Sequence, residues 1–452
     1  MKILNHLWTF LTRPRGRVGT RLQRRRRQRG VALVTVLIAI AITLVISNQF
    51  GTTTSVDITA AANYRDQMRA HFLARASIDL GELVIRIQQR MDNNKSLQGT
   101  VQITDWADQL LLAFCGSPEE VHDAVGFSPT AVKGLGADIG QCGIQPAIIT
   151  DDDKINLNCA NGNAATAAAL KSKLDALVFF PAYDPVFDDA DAENYRRDRP
   201  TQVAAIVDYI DSDSMRVRER NTTEDYGYES LKDPYFAKNN YIDTVGEIKL
   251  ARGVDDRFWT LFGSSFTVYG SCKTNLSALT NSQLIAAILY LSAKNPNDPV
   301  LLNPTKLFAL ASLVARSKQF GETFVKLDDF ISFVADPTAS VTSLASKATG
   351  TAAGSAASGA ASSGISSITG GEKLGMVLDK TKLQQIATTG PRRTYRVNAW
   401  GEITRAQKNA DGQPVYPPIR STITGVWDTK VVNQNARKPP VPNGAWVYMR
   451  EE

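Results

Sequence analysis

Residues Val31 to Val56 form a run of 26 residues without one charged side chain. The 30 residues before it hold nine Arg and one Lys and no acid, and they end in Gly30. As an α-helix the run rises about 39 Å, more than the roughly 30 Å of a bilayer's hydrocarbon core. Inside lipid the backbone must satisfy its own polar groups, so a helix is the form such a segment takes. The Arg cluster at 24–29 keeps its end in the cytoplasm, which sends the rest of the chain across the membrane. A cleaved secretory signal would show small residues just after the apolar run. Here Ser47-Asn48-Gln49-Phe50-Gly51 follows, and Ala60-Ala61-Ala62 lies too far downstream.

The leader also explains the charge. The whole chain carries a formal +6. Residues 31–452 alone hold 41 basic and 45 acidic side chains, a net −4. The exported part therefore gives no electrostatic support for a nucleic-acid binder.

The helical pattern continues beyond the apolar run. Between Ile58 and Met91 there is no Pro, and Gly81 is the one Gly. Leu73, Ile78, Leu80, Leu83, Val84 and Ile87 recur at helical spacing, which predicts an amphipathic extension packed on a domain. Further on, Val101–Thr104 and Ala147–Thr150 read as strands. Trp106–Phe114 reads as a helix with Trp106, Leu110, Leu111 and Phe114 on one face. Residues 164–335 read as largely helical, including a helix capped by Thr201 and buried helices at 284–291 and 307–314. The Ala, Ser, Thr and Gly of 338–371 supply too little apolar area to offset ordering entropy, which predicts a disordered linker. Alternation at 395–400 and 419–427 predicts a hairpin, and 445–449 a last strand. Cys115, Cys142, Cys159 and Cys272 could form two bridges in an oxidising compartment, with three pairings open, or remain buried thiols.

Catalytic chemistry has little to stand on. The chain after Gly30 has two His, His71 and His122, and lacks nucleophile-elbow, phosphate-loop and zinc spacings. Oxygen ligands offer more. Asp208, Asp211 and Asp213 fall at the end of the helix beginning near 201, where the helix dipole disfavours anions, and Glu224 and Asp225 follow. A hard cation with six to eight oxygen ligands would relieve this repulsion, although the spacing is not that of an EF-hand. A solvated acidic loop is the plain alternative. A second group, Asp184, Asp188, Asp189, Asp191 and Glu193, fits a solvated loop better, although it could hold another ion. The segment Val245–Gly253 faintly resembles a helix-hairpin-helix module, but around it Glu247, Asp255 and Asp256 balance Lys249, Arg252 and Arg257.

A basic leader ending in Gly and followed directly by an apolar helix resembles the type IV prepilin and pseudopilin family. The resemblance implies cleavage between Gly30 and Val31 by a prepilin peptidase, with methylation of the new N-terminus. The fifth residue from Val31 is Thr35, where the family usually has Glu, and this departure resembles the K-type minor pseudopilin of type II secretion. So do Asp152-Asp153-Lys154-Ile155-Asn156-Leu157-Asn158, then Asp208-Tyr209-Ile210-Asp211-Ser212-Asp213, Glu224, Tyr228, Pro234-Tyr235, Asn239 and Thr274-Asn275-Leu276. Thr222-Thr223 departs from the family's small residues before Glu224. The resemblance covers roughly 24–335 and 393–450.

It implies an α+β pseudopilin fold: a long N-terminal transmembrane and amphipathic helix packed on an antiparallel sheet, with a large inserted helical domain. The expected parts are a leader (1–30), a transmembrane helix (31–56), the exported part of the helix (57–92), an α/β part (93–160), the inserted domain (161–336), a linker (337–372) and a C-terminal sheet part (373–452). It implies a non-enzymatic subunit anchored once in the inner membrane with its body in the periplasm, at the tip of the secretion pseudopilus. Implied partners are the I- and J-type minor pseudopilins, the major pseudopilin, the prepilin peptidase, and secreted substrates or the secretin. A tip pilin of a type IV pilus or DNA-uptake pseudopilus is the alternative. It also implies calcium, with Asp211, Asp213 and Glu224 as first ligands and Asn239 and Asp208 after them.

Overall fold

The structure, a computed structural model, describes residues 29–94, 102–115, 122, 140–188, 198–217, 222–229, 231–318, 324–340, 374–405, 416–430 and 444–452. It divides into two compact units, residues 1–68 and 69–452. Helix α1 spans Arg29–Asn93. Within the first unit its large apolar side chains from Val31 to Ile46 are half or more exposed, as suits a surface meant for lipid. Among the described residues it is the one helix long and apolar enough to cross a membrane.

The second unit begins with the end of α1 and continues with α2 (Ala107–Cys115), β1 (Gln141–Ile144) and β2 (Ile149–Thr150). A helical body follows: β3 (Ile155–Asn156), α3 (Ala164–Val178), α4 (Arg199–Ile210), α5 (Asp256–Phe262) and β4 (Phe266–Thr267). Next come β5 (Thr274–Asn275), α6 (Ser282–Ser292), α7 (Pro304–Ser317), α8 (Leu327–Ala335), α9 (Lys380–Ile386) and β6 (Ala387–Thr388). The chain ends in β7 (Thr394–Ile403), β8 (Ile419–Asp428) and β9 (Ala445–Glu451).

The sheet has the order β1-β7-β8-β9, with β2 also paired to β7, and every pairing is antiparallel. The expected 395–400/419–427 hairpin is β7–β8, with Thr394 opposite Asp428. Residues of α1 beyond Met68 lie on this sheet through a stripe that keeps Ile78 and Val84 of the predicted apolar set but not Leu83 or Ile87. Ala70, Ala74, Ser77, Ile78, Ile85 and Gln88 are fully buried, whereas Leu83 and Ile87 are 53% and 43% exposed. Close approach selects the small residues: a Cβ on Gly401 of β7 would lie 2.3 Å from the Ala70 carbonyl oxygen. Ile78, Ile85, Ile144, Val397, Ile423 and Trp427 fill the core between helix and sheet.

Other expectations need correction. Ile103–Trp106 is a 3-10 turn and not a strand, and Val101 lies outside the described residues. Helix α2 buries Ala107, Leu111 and Cys115, while Trp106, Leu110 and Phe114 face outward. The cap of α4 is Asp198, whose carboxylate accepts from the Thr201 amide at 2.8 Å. The segment 374–388, grouped with the sheet on sequence, packs in the helical core through Met376, Leu378, Leu383 and Ile386. The low-complexity stretch from 341 to 371 and the hairpin's connection at 406–415 lie outside the described residues.

The helical body repeats one plan twice. Parallel pair β3–β4 closes the first unit of it, and parallel pair β5–β6 closes the second. Asn156 and Asn275 occupy matching strand positions, and each donates through Nδ2 to a positive-φ glycine carbonyl, Gly270 and Gly390. Pro200 and Pro304 open α4 and α7. From these, Val203, Ile206, Val207 and Ile210 match Leu307, Leu310, Ala311 and Val314 in spacing and burial. Glu247 and Asp329 each accept from the amide three residues earlier, Thr244 at 3.0 Å and Lys326 at 2.9 Å. The four cysteines pair as Cys115–Cys142 and Cys159–Cys272. The first joins α2 to β1, and the second joins the start of the first helical unit to the connection into the other.

Candidate metal centre

Helix α4 is nearly buried all round: from Gln202 to Ile210 every residue is buried, Asp208 included. The core holds its apolar face, and the Asn161 side chain donates to the Ile210 carbonyl at 2.5 Å, which fixes its end. Asp211 forms the C-cap in extended conformation and turns the chain out of the helix. The loop returns through the bridge Met215–Thr223 to a 3-10 turn at Glu224–Gly227. There Asp225 accepts from the Ala237 amide at 3.1 Å, which draws residues 237–239 alongside. The Asn239 amide donates to the Tyr209 carbonyl at 3.1 Å, and Asn239 takes a left-handed φ of 46°. Asn accepts this conformation more readily than most side chains.

The result is a cluster of oxygens. One carboxylate oxygen from each of Asp208, Asp211 and Glu224 lies within 4.8 Å of the others. Asp211 Oδ1, both Glu224 oxygens and Asn239 Oδ1 are buried and make no hydrogen bond. Glu224 is 4% exposed. A buried acceptor left unsatisfied costs about 1–3 kcal/mol, so four at one place need a common explanation. All four are acceptors, which excludes an anion as their partner.

Charge agrees. Burial, reinforced by neighbouring carboxylates, raises the carboxyl of Asp211 to about 7 and that of Glu224 to about 8. Burial raises Asp208 to about 6, although the Val217 amide donates to it at 2.9 Å. The α4 dipole presents its negative end here, so nothing in the helix offsets the repulsion. Opposite ligands of a calcium ion stand about 4.8 Å apart, twice a bond of about 2.4 Å, and Glu224 can offer both oxygens at once. The donor set suits a hard divalent cation.

Four of the five residues singled out from sequence stand here: Asp208, Asp211, Glu224 and Asn239. Asp213 is exposed, and its Oδ1 accepts from the Met215 amide at 2.9 Å. Asn161 escaped sequence reasoning, and Asp225, read there as one more acid of the loop, positions the cluster through its bond to the Ala237 amide; neither bond is local enough to read from sequence. In the second acidic group Asp184 pairs with Arg199, and Asp189, Asp191 and Glu193 lie outside the described residues.

The Asp152–Asn158 motif and its neighbour Asp151 have a different role. Asp151 accepts from Lys154 at 2.7 Å and Arg396 at 2.5 Å. Buried Asp152 accepts from the Arg393 amide and the Thr394 hydroxyl. Asn158 exchanges hydrogen bonds with the Ile242 backbone, 3.0 Å as donor and 2.8 Å as acceptor. These bonds tie the sheet to the helical body, and the backbone at Ile242 to the turn after β3. In the 245–257 hairpin, Lys249 pairs with Asp256 at 3.1 Å, Arg257 with Asp255 at 3.3 Å, and Glu247 with Lys238 at 2.5 Å. These pairs spend the hairpin's basic side chains within the protein. His71 lies 4.0 Å from Glu451 in an ion-pair position.

The family described as type II secretion system (T2SS), protein K, matches residues 154–269, a span that contains the whole oxygen cluster. No curated protein matches the chain. A chain in the crystal structure of the GspK-GspI-GspJ complex from the enterotoxigenic Escherichia coli type 2 secretion system is similar over 69% of this chain and 80% of that one. The identity is 14% and the TM-score 0.38.

Proposed function

We propose that this chain, whose residues 154–269 match the type II secretion system protein K family, is a minor pseudopilin at the tip of the secretion pseudopilus. The observation that carries the reading is that domain's place behind α1, a single helix that begins as an apolar span and ends on a sheet. The leader before Gly30 is the substrate of a prepilin peptidase, and the body works in the periplasm. Its role is assembly: α1 packs with the helices of I- and J-type minor pseudopilins and then the major pseudopilin, using outward residues such as Phe72, Leu83 and Ile87.

Thr35 fits a subunit with no neighbour above it. Its hydroxyl donates to its own helix, to Val31 and Ala32 carbonyls at 3.1 and 2.9 Å, and so needs no partner in lipid. A carboxylate there would.

The oxygen cluster is a calcium site in this reading, with Asp208, Asp211, Glu224 and Asn239 as protein ligands and exposed Asp213 at its edge. The ion supplies charge neutralisation and cross-linking. The residues supply a loop that joins α4, the Glu224 turn and the 237–239 segment into one surface near the tip.

Intact-mass measurement after co-expression with a prepilin peptidase tests the identification. The expected product begins at methylated Val31, and a chain retaining residues 1–30 would overturn it.

A further inference from the structure

The duplicated helical body has one asymmetry. In the first unit, 33 residues separate the end of α4 from Thr244, the start of the next turn. In the second unit, eight residues separate the end of α7 from Lys326, the N-cap of α8. The first unit gathers carboxylates in this connection. In the register set by Pro200 and Pro304, Asp208 corresponds to Ser312 and Asp211 to Ala315. The second unit thus has Ser312 and Ala315 where the first has Asp208 and Asp211.

What stands there is Lys318, the C-cap of α7, in register with Ser214 beside Asp213. Its ammonium donates to the Ser277 carbonyl at 3.2 Å and lies 4.0 Å from the centre of the Phe324 ring. Ser277 in turn donates to the Phe324 carbonyl at 2.6 Å. Ser277 and Phe324 match Asn158 and Ile242, the pair that anchors the far side of the cation loop in the first unit. The same three parts meet in both units: the end of the long helix, the turn after the first strand, and the segment leading into the next helix.

We infer that Lys318 supplies, as a built-in cation, the tie that a bound metal ion supplies in the first helical unit, so that metal dependence is confined to residues 203–242 and the second unit is metal-independent. This rests on the calcium reading of the oxygen cluster. The physical logic is substitution of one positive centre by another. A carbonyl oxygen and an aromatic face are neutral partners for an ammonium. Carboxylates, being anionic, call for a divalent ion. One unit of the repeat can therefore respond to ion concentration while its neighbour, bound to it through Cys159–Cys272, stays as a fixed platform.

Hydrogen exchange read by mass spectrometry on the full chain in detergent tests this, comparing calcium with EGTA and wild type with Lys318→Met and Lys318→Arg. Chelation is expected to raise exchange in 203–242 by about tenfold or more and leave 304–335 unchanged. Lys318→Met in saturating calcium is expected to raise exchange in 304–335 by about tenfold or more and leave 203–242 unchanged, with Lys318→Arg near wild type. Equal loosening of both units on chelation, or unchanged 304–335 exchange in Lys318→Met, would overturn the inference. A failure of the calcium reading shows separately, as unchanged 203–242 exchange on chelation, and Lys318→Met still decides the role of Lys318.

Discussion

Asp211 and Glu224, thirteen positions apart in the chain, bring carboxylate oxygens within 4.8 Å of one another, and Asp211 Oδ1 and both Glu224 oxygens are buried without a hydrogen-bond partner. Two like charges held so need a counter-charge or protons. Stability with chelator and stability with calcium should therefore depend on pH in different ways. The folded-state carboxyls of Asp208, Asp211 and Glu224 are raised to about 6, 7 and 8. A raised carboxyl contributes stability that is fully present below its unfolded value and lost as pH rises through the folded one. In EGTA, thermal unfolding should thus occur at a higher temperature near pH 5 than near pH 8, by several degrees. Saturating calcium should remove or reverse that difference.

Glu224→Gln should separate binding from folding. It removes one negative charge from the cluster and keeps the shape of the side chain. Calorimetric titration should show calcium affinity weakened by about tenfold or more. The same variant in EGTA should unfold at a higher temperature than wild type at neutral pH, because less repulsion remains.

The two cystines should differ in weight. Cys159–Cys272 closes 113 residues and Cys115–Cys142 closes 27. Constraint of the unfolded chain grows with loop length, so the paired Ser variant at 159 and 272 should lose about 3–5 kcal/mol in chemical denaturation. The pair at 115 and 142 should lose less.

Gly401 should be intolerant of any side chain. A Cβ there meets the Ala70 carbonyl oxygen at 2.3 Å and the Ala74 amide at 2.5 Å, both backbone atoms that cannot rotate away. Gly401→Val should cost about 1–3 kcal/mol or more and loosen α1 from β7, read as increased exchange in 70–88.

These residues also mark what a sequence can disclose. The apolar span and the carboxylates near 208–224 were legible, because each violates a general physical expectation. A run of 26 uncharged residues does not suit water, and acids do not suit a helix C-terminus. The α1 face on the sheet was legible only in part: Ile78 and Val84 lie on it, but close packing there favours Ala70, Ala74, Ser77 and Gly81 over the larger Leu83 and Ile87. The outward turn of Trp106, Leu110 and Phe114 was hidden too, since α2 is oriented by Cys142 and the sheet. Residues 374–388 belong to the helical core through contacts that span a long low-complexity stretch, which no local pattern reveals. The positioning bonds of Asn161 and Asp225 depend on neighbours 49 and 12 residues away.

On the proposed function, this chain assembles with other minor pseudopilins through α1. Affinity purification of the tagged full chain from detergent-solubilised membranes, co-expressed with I- and J-type partners, tests it most directly. The expected product is a stoichiometric three-subunit complex that Leu83→Asp combined with Ile87→Asp dissolves. Recovery of the chain alone, with both partners present and folded in the same membranes, would contradict it.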